Sequence, residues 1–138
     1  MKIIKSNKQT ICTPNNVIFN FLNDFNNFKL LLPDKVINWN CSTNNCSFKI
    51  QGLADIALSI DENIEYENIT YKSEKPSPFA FKLKTNIVQI DINNSEVQIV
   101  IEADLNIMME AIITTPLTNF VNILVDKLKN YSENNLNT

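Results

Sequence analysis

A long amphipathic stretch near the end of the chain, residues 108–131, restricts the fold more than any other feature. Its apolar residues recur at intervals of three and four positions, the periodicity of an α-helix with one broad apolar face. These residues are Ile113, Leu117, Phe120, Val121, Leu124, Val125 and Leu128. Pro116 lies inside the stretch, so either the helix kinks there or its main segment begins there. We therefore expect a long helix that must bury one face on the rest of the chain.

Most of residues 36–105 show a different pattern, in which apolar and polar residues alternate with period two. This is the periodicity of β-strands with one buried face. Turn-forming residues separate the runs, including Ser42-Thr43-Asn44-Asn45 and Gly52. Residues 2–11 are expected to form a first strand. The sequence therefore predicts an antiparallel sheet against which the helix packs.

Two short helices are predicted between the first strand and the later ones. Thr13 is expected as the N-cap of the first, with Pro14 at its first helical position. The second, over residues 26–32, ends before Pro33, which disfavours helical backbone at the residue that precedes it. The order is thus strand, two short helices, several strands and one long helix.

Two residue types are absent or nearly so, and their scarcity excludes several classes of site. The chain has no histidine, which rules out a Ser-His-Asp or Cys-His constellation and a His-ligated metal. A P-loop or a dinucleotide-binding motif requires several glycines, and this chain has only Gly52. We therefore predict no catalytic set, no metal and no cofactor.

Length, charge and the distribution of apolar residues limit the number of domains, the class of partner and the location of the protein. The 138 residues are the size of one domain, which we place at 1–138. A net charge of -3 without a basic run argues against nucleic acid as a partner. No uninterrupted apolar run approaches the ~20 residues that span a bilayer, and the N-terminus lacks the apolar core of a secretory signal. A cytoplasmic protein without stable membrane insertion is expected.

Several segments resemble the SRPBCC superfamily, the group of START-like, birch-pollen-allergen-like and polyketide-cyclase-like domains. The first-helix region carries the resemblance in Thr13-Pro14, Val17, Phe19, Phe21-Leu22, Asp24, Phe28 and Leu32-Pro33. Further segments look like the corresponding parts of small bacterial members. They are residues 36–39, Cys46-Ser47-Phe48, Glu102-Ala103-Asp104-Leu105-Asn106, Met108-Met109 and Pro116-Leu117. The resemblance covers nearly the whole chain.

The resemblance implies an α+β helix-grip fold. A curved antiparallel sheet of about six or seven strands would wrap around the long C-terminal helix, with two short helices after the first strand. Such domains often leave an apolar cavity between sheet and helix. Members bind lipids, sterols, polyketides or plant hormones, while others are cyclases or hydrolases, or activate chaperones. They share no catalytic set that transfers to this chain.

Apolar side chains expected between sheet and helix are the candidate ligand-binding residues. They are Trp39, Phe48, Phe81, Leu83, Ile101, Met108, Met109, Leu117 and Phe120. Methionine and aromatic residues line adaptable pockets, although any one of them can equally be core. We predict an apolar pocket bordered by Trp39, Phe81, Met108 and Phe120, which would hold a small apolar or amphipathic molecule.

Carboxylates and cysteines are weaker candidates. Glu102 and Asp104 are expected to face solvent, and Glu110 either lies on the surface or borders the mouth of a cavity. Cys41 and Cys46 can face each other across a hairpin, but a cytoplasmic chain would keep both reduced. The melting temperature should then respond to neither chelators nor reductants.

Two other functions remain open beside ligand binding. An enzyme of the cyclase or hydrolase kind needs a polar group inside the pocket, for which Thr85 and Tyr71 are the inward candidates. An interaction module of the chaperone-activator kind needs an exposed apolar patch on the outer face of the sheet. The sequence does not identify a protein partner.

Overall fold

A computed structural model describes residues 1–136 and contains, within them, eight strands and three α-helices. The strands are β1 (Lys2–Lys5), β2 (Gln9–Ile11), β3 (Val36–Cys41), β4 (Asn45–Ile50), β5 (Ala54–Ile64), β6 (Asn68–Glu74), β7 (Phe81–Asp91) and β8 (Asn94–Ala103). The helices are α1 (Asn15–Leu22), α2 (Phe25–Phe28) and α3 (Ile107–Tyr131). A 3-10 turn, Lys29–Leu31, follows α2, and a π-helical turn, Ser132–Leu136, follows α3.

All pairings in the sheet are antiparallel, in the order β1-β8-β7-β6-β5-β4-β3, and β2 also pairs with β8. The α+β helix-grip architecture is confirmed, with one strand more than the upper estimate of seven. The first predicted strand is divided at Ser6, whose amide donates to the Ile99 carbonyl (2.8 Å) and whose hydroxyl accepts from the Ile99 amide (2.9 Å). These two bonds replace the regular ladder, so β1 and β2 are separate strands.

The long helix packs as its periodicity predicts. All seven residues of the predicted apolar stripe are buried, and Val121, Leu124, Val125 and Leu128 are fully inaccessible to solvent. The Asn106 side chain caps the helix by accepting from the Met109 amide (2.9 Å). The helix continues through Pro116, so the main helical segment does not begin at that residue.

The short helices lie one residue away from their predicted positions. Pro14 is the N-cap of α1 and not its first helical residue, and Asp24 caps α2 by accepting from the Asn26 amide (2.9 Å). The predicted second helix is split into α2 and the 3-10 turn. Its aromatic residues Phe25 and Phe28 pack against the Tyr71 ring, with centroids 4.5 and 5.2 Å away. These contacts anchor the helical insertion on the concave face of the sheet.

Strand β3 departs from the regular alternation that was predicted for it. Asn38 has a left-handed backbone (φ 54°), and the register with β4 shifts between Ile37 and Asn40. This bulge turns Trp39 outward, where it is 47% exposed beneath the Lys29 ammonium, 4.8 Å from the ring centroid. The expected position of Trp39 in the interior is therefore wrong, because a bulge changes which face the following residue occupies.

One helical segment, Ile107–Leu136, is long and apolar enough to cross a membrane by length and composition alone. It includes the whole of α3, the helix that the sheet grips. Core helices of soluble proteins meet the same two criteria. The observation is weak evidence for a span.

Candidate functional site

The space between the sheet and α3 is almost completely filled by side chains. A void of about 20 Å³ remains, lined only by apolar residues. Six of the nine candidate ligand-binding residues border it: Phe48, Phe81, Leu83, Ile101, Leu117 and Phe120. A volume of this size accommodates about one water molecule. The expectation of a ligand-sized enclosed pocket is therefore wrong for this conformation, because core side chains occupy the space.

The two methionine candidates lie at the start of α3 and not in the interior. Met108 is 75% exposed, so the prediction that it borders an enclosed pocket is wrong. The apolar stripe that faces the sheet begins one turn later, at Ile113, and Met108 precedes it on the solvent side. Met109 is partly buried and packs on the edge of the core.

A much larger depression, of about 820 Å³, opens on the surface beside α3 and is lined by both apolar and polar residues. We call it the groove. One wall is the middle and C-terminal part of α3, and the other is formed by the segment entering β3 and by the β4–β5 turn. Its lining residues are Pro33, Asp34, Lys35, Val36, Ile50, Gln51, Gly52, Leu53, Pro116, Asn119, Phe120, Asn122, Ile123, Asp126 and Lys127.

The wall opposite the helix is held in place by main-chain hydrogen bonds. The Pro33 carbonyl accepts from the Val36 amide, and the Lys35 carbonyl accepts from the Gln51 amide, both at 2.9 Å. Gly52 follows with a positive φ of 78°, a conformation that glycine adopts without steric cost. The turn at Gly52 was predicted, and it forms part of this wall.

The groove and the inner void share two residues, Ile50 and Phe120. Phe120 is 9% exposed, and its ring lies 6.5 Å from that of Phe48, which lines the void on the far side. Ile50 and Phe120 therefore form the partition between the surface groove and the core.

The polar residues proposed as inward candidates border neither space. Tyr71 is buried among the helical insertion, where its hydroxyl donates to the Leu22 carbonyl at 2.6 Å. Burial, with a smaller contribution from the nearby Asp24 carboxylate, raises the pKa of the Tyr71 hydroxyl far above its ordinary value. Thr85 is also buried, on β7, and lies outside both cavities. Tyr71 thus acts as a structural hydrogen-bond donor.

The carboxylates that the sequence singled out lie on the surface. Glu102 forms an ion pair with Lys84 (3.0 Å) on the outer face of the sheet, and Asp104 is exposed. Glu110 pairs with Lys2 (3.6 Å) at the start of α3 and borders neither the groove nor the void. The predicted solvent-facing positions of Glu102 and Asp104 are confirmed.

The cysteines differ from expectation. Cys41 and Cys46 are paired across the β3–β4 hairpin and form a disulfide, so the expectation of two reduced thiols is wrong. The predicted turn at residues 42–45 brings the two strands together directly beside this pair. Across residues 1–136, no three His, Cys, Asp or Glu side chains are close enough to hold a metal ion.

Sequence reasoning did not find the groove, although some signals for it are present. Pro33, Gly52 and Pro116 were identified as points where the backbone changes direction, and all three line the groove. Ile123 was the informative residue, because it is an apolar side chain on α3 outside the buried stripe and is 39% exposed. Only the folded arrangement shows that these positions converge.

Comparisons with known proteins support the fold. No protein-family model matches the chain, and no curated protein matches it. Among solved structures, the protein XoxI from Bacillus cereus matches with a TM-score of 0.76 and 11% identity over 100% of this chain and 99% of its own. A START superfamily protein from Mycobacterium smegmatis matches with a TM-score of 0.74 and 12% identity, covering 96% and 97%.

A third similar structure is that of the Aha1 dimer from Colwellia psychrerythraea, with a TM-score of 0.72 and 11% identity over 96% of this chain and 97% of its own. At identities this low, structural likeness establishes the architecture alone. The chain therefore has the helix-grip fold, which it shares with the START superfamily protein from Mycobacterium smegmatis.

Proposed function

We propose that this protein is a binding domain for a small apolar or amphipathic molecule, which it holds in the groove beside α3. The observation that carries the proposal is the groove itself, an open depression of about 820 Å³ whose accessible lining is mainly apolar. Ligand sites in proteins are concave, mostly apolar and about 300–1,000 Å³ in volume, with a few polar groups at defined positions. The groove meets each of these criteria.

The partition between groove and void supports the same proposal. Ile50 and Phe120 separate the groove from the apolar space beneath it. A ligand that displaces the Phe120 ring would extend its apolar end towards Phe48 and Leu117. Because the void itself has the volume of about one water molecule, such binding requires the neighbouring core side chains to move as well.

The two alternative functions have less support. Cyclase or hydrolase chemistry needs a polar group at the reacting atoms, held in a sheltered site. The inner void is lined only by apolar residues, and the two carboxylates of the groove, Asp34 and Asp126, are exposed. On the outer face of the sheet, the exposed residues Ile3, Ile64 and Val88 share a shallow depression with several lysines and carboxylates. Such a surface is not the continuous apolar patch that would favour an interaction module.

A pair of matched variants tests the proposal. Ile123 lines the groove, and Ile112 is an exposed isoleucine on the same helix that lies outside it. Each is replaced by glutamine, and binding of the neutral fluorescent probe N-phenyl-1-naphthylamine is titrated. We expect saturable binding to the unaltered protein, a loss of affinity of about tenfold in Ile123→Gln from lost apolar contact, and no change in Ile112→Gln. Equal affinities in both variants, or no saturable binding, would contradict the proposal.

A further inference from the structure

The groove contains a lysine whose charge is not compensated by a carboxylate. Lys127 lies on α3 and is half-buried, with its ammonium 3.2 Å from the Leu32 carbonyl. Among the ion pairs in the part of the chain that the structure describes, none includes Lys127. A partly desolvated ammonium that contacts only a neutral carbonyl gains more from an anion than from water.

A second lysine lies across the groove at the same end. The Lys127 ammonium contacts the Leu32 carbonyl, and Lys35 comes three residues after Leu32. The ammonium therefore lies close to the segment that carries Lys35. Lys35 is exposed, lines the groove, and likewise takes part in none of the ion pairs within residues 1–136. Both positive charges are therefore available at one end of the groove.

Two carboxylates, Asp34 and Asp126, also line the groove, and neither is in direct contact with these lysines. Asp126 Oδ1 accepts a hydrogen bond from the side-chain amide of Gln9 (2.8 Å), a residue of β2. Asp34 is exposed at the rim. No ion pair within the described residues joins either carboxylate to Lys35 or Lys127.

We infer that the ligand of the groove is an amphipathic anion, an alkyl chain that ends in a carboxylate or a similar negative headgroup. The headgroup binds the Lys127 ammonium, and Lys35 adds a second, exposed charge. This inference rests on the proposed function. Along α3, Lys127 lies one turn beyond Ile123 and two turns beyond Phe120. Lys127 lies eleven positions after Pro116, a distance of about 16 Å along the helix axis, so the tail follows this wall towards the partition.

The experiment compares ligands that differ only in their head. Competition with N-phenyl-1-naphthylamine is measured for dodecanoate, 1-dodecanol and dodecyltrimethylammonium, each below its micelle-forming concentration. Acetate is included because it supplies the headgroup without the tail. We expect dodecanoate to bind about tenfold tighter than 1-dodecanol, dodecyltrimethylammonium to bind more weakly than either, and acetate not to compete.

Two charge-removing variants test whether Lys127 is responsible for the preference for an anionic headgroup. Lys127→Gln keeps a donor for the Leu32 carbonyl but removes the charge, and Lys49→Gln removes an exposed charge of β4 outside the groove. Lys127→Gln should reduce the affinity for dodecanoate about fivefold or more and leave that for 1-dodecanol unchanged. Lys49→Gln should change neither.

The outcomes separate this inference from the function on which it rests. Equal affinity of the unaltered protein for dodecanoate and 1-dodecanol would overturn the anion preference while the groove remained a binding site. So would a Lys127→Gln variant that weakens both ligands equally, or competition by acetate alone. Failure of every alkyl ligand and of the probe to bind would refute the proposed function itself.

Discussion

Truncation of Leu124 tests the packing of α3 against the sheet. Leu124 is fully buried in the middle of the helix and borders neither the void nor the groove, so side chains surround it on all sides. Leu124→Ala removes three carbon groups, which lowers stability by about 2.4 kcal/mol from lost burial alone. Partial retention of the vacated space adds a cavity cost of about 1–2 kcal/mol. We therefore expect a total of about 3–4 kcal/mol.

Urea unfolding followed by circular dichroism measures this loss. With a slope of roughly 1.5–2 kcal/mol per molar, the midpoint should fall by roughly 2 M, and the slope should stay unchanged. Ile112→Ala is the matched control, because it removes the same number of carbons from the same helix at a position that is 68% exposed. Its free energy of unfolding should remain within about 0.5 kcal/mol of the unaltered protein. Equal effects of the two variants would refute the helix orientation and the groove wall that depends on it.

Three further variants test individual interactions by the same urea assay. Tyr71→Phe should lower the free energy of unfolding by about 1–3 kcal/mol, because it leaves the Leu22 carbonyl without its buried donor; an unchanged midpoint would contradict this. Ser132→Ala should be neutral or stabilising by up to about 1 kcal/mol, because the buried Ser132 hydroxyl has no partner within residues 1–136. Replacing Cys41 and Cys46 together by serine should cost about 2 kcal/mol, and dithiothreitol should then destabilise only the unaltered protein.

The parts of the fold that the sequence predicts are those governed by periodicity. The buried face of α3 follows directly from the spacing of its apolar residues, because a helix places residues three and four apart on one side. The succession of strands along residues 36–105 follows from the alternation and from local turn chemistry. These signals are local in the chain, and no tertiary contact in the structure overrides them at Leu117 or Leu124.

The features that the sequence did not predict depend on backbone irregularity or on convergence of distant segments. The left-handed conformation of Asn38 shifts the register of β3 and carries Trp39 to the surface, and alternation alone contains no sign of it. The groove forms where Lys35, Gly52 and Ile123 meet, although they are far apart in sequence. Whether the interior is filled depends on the volumes of the side chains that meet there, and residue periodicity contains no information on these volumes.

One measurement tests the central claim, that the groove is the ligand site. The chain has a single glycine and a single tryptophan, so each contributes one identifiable cross-peak to a nitrogen–proton NMR spectrum. The Gly52 amide lies in the wall of the groove, whereas Trp39 lies on the surface outside it. On titration with dodecanoate, the Gly52 cross-peak should shift progressively to saturation while that of the Trp39 indole stays fixed. A fixed Gly52 cross-peak, or equal shifts of both, would contradict the account.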